Sequence, residues 1–393
     1  MSVIPEDFDA TAPEHWGTAY AELERLRAQC PVAHSDAFRG FWVLSKYDDI
    51  VDALHEPETF VTSVQNVVPK VAFTGRRPPL HLDPPEHTPY RSALNPFFTR
   101  AKVDALRPHI RDCVIELLVP LIDAGEVDFC TDFAHALPGL VLAKFFNLPI
   151  ERAMEIREVT KGYTAALNVF DDEVVKRASL DLYAIARKMI DERKADPWPV
   201  EDDPTSALLA ATWNGERLPE EMVLGTLRQF IVVGMVAPIV FLGSVVVHLS
   251  EHPDVHGRLR SQPDLIPAAV QEYLRLFTPY RGFARTAKRD VEIRGRTIRA
   301  DEPIAFAYAS ANRDEEVFPD PDEFILGRPN IGRHIAFGSG AHRCAGAPLA
   351  TEIIQITLEE LVSRTSSIEV TGEIRMSGWP EIGTLSVPAR LGS

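Results

Sequence analysis

The sequence predicts a mainly α fold with a minor β-sheet region, an α+β domain spanning residues 1–393. Three observations carry that reading. Apolar residues recur at a helical period through long segments of the chain. Strand-like alternation is confined to short runs that cluster late. No repeat, low-complexity tract or long linker divides the sequence, and with 45% aliphatic and aromatic residues it can bury one sizeable core.

In chain order, residues 18–27 and 47–54 carry apolar side chains three and four apart and predict two short helices. Segments 87–98, 102–122 and 133–146 follow with the same period, and 173–193 continues it after a gap. Residues 194–204 hold three prolines and four acids, which breaks any helix and reads as a surface loop. Beyond it, 219–249 is a long and almost wholly apolar helix, then come 265–276 and, near the end, 346–362 with Ile353, Ile354, Ile356, Leu358 and Leu361 in period. Residues 290–299 read as a hairpin turning near Gly295, and 303–308 as the strand after it. Smaller strands are expected at 41–44 and around Ile368 and Leu385.

Residues 1–10 include Glu6, Asp7 and Asp9 and no apolar run, so neither signal peptide nor membrane anchor is expected and a cytoplasmic location is. A net charge of −16 disfavours nucleic acid and anionic membrane as partners. Cys30, Cys113, Cys130 and Cys344 are widely spaced with no C-x-x-C pair, which argues against a zinc site or an iron–sulfur cluster.

One cysteine stands in a motif, Phe337-Gly-Ser-Gly-Ala-His-Arg-Cys-Ala-Gly-Ala-Pro-Leu-Ala350. Gly338, Gly340 and Gly346 permit positive φ and close backbone approach, so this loop can lie against a flat ring and present one sulfur. The helix that follows at once puts that sulfur near a helix N-terminus, where the dipole favours a thiolate. The pattern Phe-Gly-x-Gly-x-His-x-Cys-x-Gly-x-x-Leu-Ala resembles the signature of the cytochrome P450 family at every fixed position. The resemblance extends over nearly the whole chain and implies the cytochrome P450 fold around a buried heme b (iron protoporphyrin IX).

What the resemblance implies can be carried over residue by residue. Cys344 would be the axial iron ligand, with Phe337 packed beside the sulfur. His87, Arg91, Arg285 and His342 match the family's partners of the heme propionates, which need cations or donors when buried. Arg343 would face outward toward an electron donor. Glu272 and Arg275, three apart on one helix, with Arg328 as third member, match a buried cluster that holds the heme-loop region and has no direct catalytic part. A separate ferredoxin or flavodoxin with its reductase is implied as the electron source, because only a short stretch follows Cys344 and no fused electron-transfer domain is expected there, although the run 278–285 is similar to that of reductase- or flavodoxin-fused members.

The chain departs from the family on the distal side. Where an acid and an alcohol usually help deliver protons during oxygen activation, it carries Val236 and Ala237. Pro238 lies four residues after Gly234, so its ring removes one helical hydrogen bond and the helix is expected to open or kink, freeing the Gly234 carbonyl to bind water. By family position the substrate pocket would draw on Phe73, Val233, Val236, Ala237, Tyr280, Phe283 and Thr384, a mostly apolar lining. Arg76, Arg77 and Arg281 could recognise a carboxylate or nitro group. The expected function is a heme-thiolate monooxygenase that uses dioxygen to oxidise or dealkylate a small aromatic organic molecule. The missing acid and alcohol keep an alternative open: a peroxygenase, or a reductive enzyme acting on a nitro or nitrogen-oxide substrate.

Overall fold

The computed structural model describes residues 6–12, 16–70 and 74–393. Its axis is the Glu220–Glu251 helix, long and apolar enough to cross a membrane by composition alone, yet two-thirds of its most apolar window is buried inside the fold. Other helices surround it because its apolar side chains point in every direction, with Val233 as its exposed large hydrophobic side chain. Gly243 is one of its closest contacts: a Cβ there would meet Thr384 Oγ1 at 2.1 Å and Cys130 Sγ at 2.4 Å. The absent side chain lets the Thr384–Ser386 strand seat on the helix.

A five-stranded sheet lies to one side, in the order Val32–Ser35, Phe41–Leu44, Pro303–Phe306, Phe283–Ala287, Phe60–Val61. Its pairs are antiparallel except the second with the third. A three-stranded sheet joins Ser367–Val370, Pro388–Gly392 and Glu126–Asp128. The Tyr47–Leu54 helix begins where the Asp314 carboxylate accepts from both the Tyr47 N–H and Lys46 Nζ, each at 2.9 Å, which satisfies an end that has no capping side chain of its own. It buries Tyr47, Ile50, Ala53 and Leu54, and its last carbonyl reaches the cysteine loop.

The expected helices are present, with differences that have local causes. Region 133–146 divides into a π-turn at Cys130–Ala134 and a helix at Leu137–Phe145, because Pro138 cannot donate within a continuous helix but suits the first turn of a new one. Region 87–98 likewise ends in a 3₁₀ turn, Asn95–Phe98, that contains Pro96. Four further helices, Ile150–Asn168, Pro204–Ala210, Pro253–Ser261 and the short Tyr308–Ala311, were not expected from periodicity. The first is interrupted by Glu151, Arg152, Glu155, Arg157, Glu158 and Lys161, which obscure its apolar stripe. Strand Pro388–Gly392 opens on a proline, and Val32–Ser35 contains His34 and Ser35; neither has strand composition. The helix runs through Pro238 without a break from Glu220 to Glu251, although the proline supplies no N–H there.

Inside the helical body, His248 shares a hydrogen bond of 3.1 Å with the Tyr273 hydroxyl and stacks on His252 with ring centroids 4.3 Å apart. Burial, reinforced by His252 and Arg313 against the pull of Asp254, takes its pKa from 6.5 down to about 4. The unfolded chain therefore binds a proton that the folded one refuses, and stability contributed by this residue is lost as pH falls from about 6.5 toward 4. In thermal melts across that window, His248→Gln is expected to flatten the decline; an unaltered slope would assign it to other groups.

Candidate active site

The cysteine loop takes its shape from two glycines in the left-handed region, Gly338 (φ 69°) and Gly340 (φ 67°). At Gly340 a Cβ would meet the Leu54 carbonyl oxygen at 2.3 Å, so a side chain is excluded by contact as well as by conformation. The chain closes with the Cys344 N–H donating to the Phe337 carbonyl at 2.9 Å and then enters the Ala347–Arg364 helix. The Cys344 thiol is accessible, although protein surrounds it closely enough for burial to raise its pKa. The N–H groups of Gly346 and Ala347 and the charges of Arg91 and Arg343 act against burial and favour the thiolate.

The helix that starts after His87 holds this loop at two points. The His87 ring lies with Nε2 3.2 Å from the Ala341 carbonyl, to which it donates, and Arg91 Nη1 donates to the Arg343 carbonyl at 2.8 Å. The His87 and His342 rings are 5.0 Å apart between centroids. Arg285, buried on the Phe283–Ala287 strand, completes the group, with its guanidinium 5.6 Å from the Phe306 ring. Burial first, then Arg285, His87 and Arg91, push the His342 pKa down to about 3 against the opposing pull of Asp83. Asp83 is itself held by the Thr62 and Ser63 N–H groups at 2.7 and 3.2 Å. Positive and potentially positive groups thus outnumber the one carboxylate named among them.

That charge balance suits a dianionic ring system. Among the described residues no cluster of three or more His, Cys, Asp or Glu could hold a metal ion, so a metal at Cys344 would draw its other ligands from a prosthetic group. One accessible sulfur beneath N–H donors, beside a basic rim short of counter-charge, fits an iron porphyrin with two propionates.

Glu272 lies fully buried between two arginines. Arg275 donates to it at 3.0 and 2.8 Å, Arg328 Nε donates at 3.0 Å, and the Ile325 N–H adds a bond of 3.1 Å. The arginines spend their remaining donors on backbone carbonyls: Asn312, Pro321 and Glu323 for Arg275, and Pro319, Asp320 and Glu323 for Arg328. Although burial opposes it, these partners hold the Glu272 carboxyl below its ordinary pKa. The cluster clamps residues 319–328 to the Ile266–Leu276 helix, upstream of the cysteine loop.

On the distal side a cavity of about 110 Å³ opens beside the central helix. Val233, Val236, Tyr280 and Phe283 line it, with the last two rings 4.2 Å apart between centroids. Burial raises the Tyr280 pKa, and Glu381 and Cys344 add to the effect. Ala237, Gly234 and Pro238 occupy the same stretch of helix but are not among the lining residues. Gly234 faces Leu142, whose Cδ1 would stand 2.8 Å from an added Cβ. Thr384 is a correction: its hydroxyl turns to the Val240 carbonyl (3.4 Å) and its side chain packs on Gly243, away from the cavity. Phe73 lies outside the described residues.

Two buried charges among the lining residues escaped the sequence reading. Glu381 is buried, and burial raises its carboxyl pKa to about 7 against its own N–H and Arg281; nothing in its neighbourhood marks it. Arg228 did carry a signal, as a lone cation in an otherwise apolar stretch of helix. Of the arginines proposed for anion recognition, Arg77 lines the cavity and is buried, Arg76 is exposed, and Arg281 donates to the Glu381 carbonyl at 2.9 Å.

Comparison with known proteins agrees with this geometry. The sequence profile described as cytochrome P450 matches residues 252–385. The chain is 32% identical over 363 residues, 89% of each protein, to cyclomarin C epoxidase CymV of Salinispora arenicola (strain CNS-205). It is 30% identical over 359 residues to the mycinamicin IV hydroxylase/epoxidase of Micromonospora griseorubida, covering 89% of this chain and 88% of that one. The solved structure of cytochrome P450 CYP109Q5 from Chondromyces apiculatus matches it with a TM-score of 0.87 at 29% identity, covering 98% of both chains.

Proposed function

Because this chain belongs to the cytochrome P450 family, we propose that it is a monooxygenase that oxidises or dealkylates a small aromatic molecule with dioxygen and electrons from a separate redox partner. The observation that supports the substrate class is the Tyr280–Phe283 aromatic pair in the cavity. Heme, when bound, would supply oxygen activation at a thiolate-held iron, a ligation that favours O–O cleavage. The chain's own residues would do the rest. Cys344 would ligate the iron, kept anionic by the Gly346 and Ala347 N–H groups. His87, Arg91, Arg285 and His342 would hold the propionates. Phe337 would shield the loop beside the sulfur, and exposed Arg343 would meet a ferredoxin or flavodoxin.

Val233, Val236, Tyr280 and Phe283 would orient substrate and exclude water by apolar contact. Neither Val236 nor Ala237 can carry a proton, so that work would fall to water, for which the Gly234 carbonyl, left without its helical donor by Pro238, is an available acceptor. The same pair supports the second reading, a peroxygenase or a reductive enzyme for nitro or nitrogen-oxide compounds, since neither needs the usual relay.

Oxygen-dependent turnover of aromatic ethers, supplied with a ferredoxin and its reductase, tests the first reading. Product formed only with peroxide, or only without oxygen, would favour the second. Ala237→Thr restores a hydroxyl where relatives have one and is expected to raise the product formed per reduced cofactor consumed, without a parallel rise in peroxide-driven turnover. Unchanged coupling with the heme intact would mean that backbone-bound water already serves, or that oxygen activation is not the task.

A further inference from the structure

Two arginines at the distal cavity have no acid of their own. Arg228 is fully buried and Arg77 is 6% exposed, and both line the cavity. Arg228 Nη2 donates to Ser179 Oγ at 2.9 Å and Nη1 to Gln229 Oε1 at 3.3 Å, and its guanidinium lies 5.2 Å from the Tyr163 ring centroid. The Nε of each arginine has no partner. Neither makes an ion pair among the described residues, whereas the buried Arg275, Arg313 and Arg328 each do. A buried cation without a counter-charge is costly, and folds keep one where something else supplies the charge.

The placement is built. Gly225 allows residues 76 and 77 to lie directly on the central helix: a Cβ there would meet the Arg76 carbonyl oxygen at 1.9 Å. This seats Arg77 within a turn of Arg228. Exposed Lys70 lines the same cavity, and exposed Arg76 precedes Arg77 outside its lining. Together with burial, which is the largest influence, these four cations take the pKa of His81 down to about 3. Two acids also line the cavity, but Asp172 is exposed and Glu381 lies beside Arg281 and Tyr280. In a chain of net charge −16, a cavity with this excess of positive charge is selective for an anion.

We propose that Arg77 and Arg228 bind the carboxylate of an elongated, otherwise apolar organic acid that is the substrate. The inference rests on the reading of this cavity as the substrate site and specifies its chemistry. The guanidinium fork matches a carboxylate's two oxygens. Arg228 precedes Val236 by eight residues, or about 12 Å of helix rise, so the acid group would be held well away from an oxidised position near Val236 and Tyr280. The lining between, with Val232, Val233 and Phe283, accepts an alkyl chain or an aryl ether.

The test uses the heme-loaded full-length protein and two matched pairs, decanoate with decanamide and 4-butoxybenzoate with 4-butoxybenzamide. Equilibrium dialysis gives affinities without reference to turnover, and the heme spin-state shift is read in parallel. The acids are expected to bind about 10- to 100-fold more tightly than the amides, the range for a charge-assisted hydrogen bond, and to weaken with added salt. Arg77→Gln and Arg228→Gln should each reduce that ratio about tenfold or more while leaving amide binding nearly unchanged. If Arg228→Gln does not fold, Arg77→Gln, on a loop, and the wild-type ratio still decide. Equal binding of acid and amide, binding of neither acid, or a ratio that survives substitution overturns the proposal. The reduced carbon monoxide complex separates this from the family-based reading: loss of the thiolate-type Soret band with the acid preference intact would remove the latter alone.

Discussion

Cys344→Ser is expected to abolish oxygenation outright, with the thiolate-type Soret band of the reduced carbon monoxide complex lost, even where the protein still folds and retains heme. The local design is specific to sulfur. The Gly346 and Ala347 N–H groups and the charges of Arg91 and Arg343 stabilise an anion there, against a burial that favours the protonated form. A serine hydroxyl in the same place stays neutral at working pH and cannot donate electron density as a thiolate does. The His87 and Arg91 contacts to the Ala341 and Arg343 carbonyls involve backbone, so the loop and its basic rim should survive the change. Residual oxygenation at the parent rate, or an unaltered Soret band, would refute ligation by Cys344.

The second large effect is on stability. Glu272→Ala leaves two buried guanidiniums and the Ile325 N–H without their acceptor, and Arg275→Ala leaves a buried carboxylate with one arginine and strips the Asn312, Pro321 and Glu323 carbonyls of a donor. Breaking a buried pair from one side costs about 3–5 kcal/mol, a large share of the stability of a typical fold. Little heme-loaded protein is expected from either variant, and what is recovered should unfold at much lower denaturant. Wild-type heme content and unfolding midpoint in both would mean that the cluster contributes nothing to holding residues 319–328.

The features that were legible in sequence are those imposed by local chemistry. Gly338 and Gly340 announce the loop because glycine is the residue most at ease at their backbone angles, and the Tyr47–Leu54 helix was read to its ends because acids open it and its apolar residues keep period. Relations between distant segments were not legible. Thr384 looked like a pocket residue until the bare surface of Gly243 drew it onto the central helix. Glu381 acquires meaning only from burial, which a charge in sequence does not reveal, whereas Arg228 stood out as a lone cation in an apolar helix. At Pro238 the helix stays continuous, within an element whose packing is almost entirely apolar.

The seat of Thr384 on Gly243 also bears on synthesis. The central helix is complete once residue 251 has left the ribosome, but the strands that cover it, Ser367–Val370 and Thr384–Ser386, are made more than a hundred residues later. At about 5–20 residues per second, several seconds pass in which a segment apolar enough for a bilayer lacks part of its cover. During that interval the apolar surface that these strands later cover has nothing from the C-terminal part of the chain to shield it, and a ribosome stalled between residues 251 and 384 would leave it uncovered.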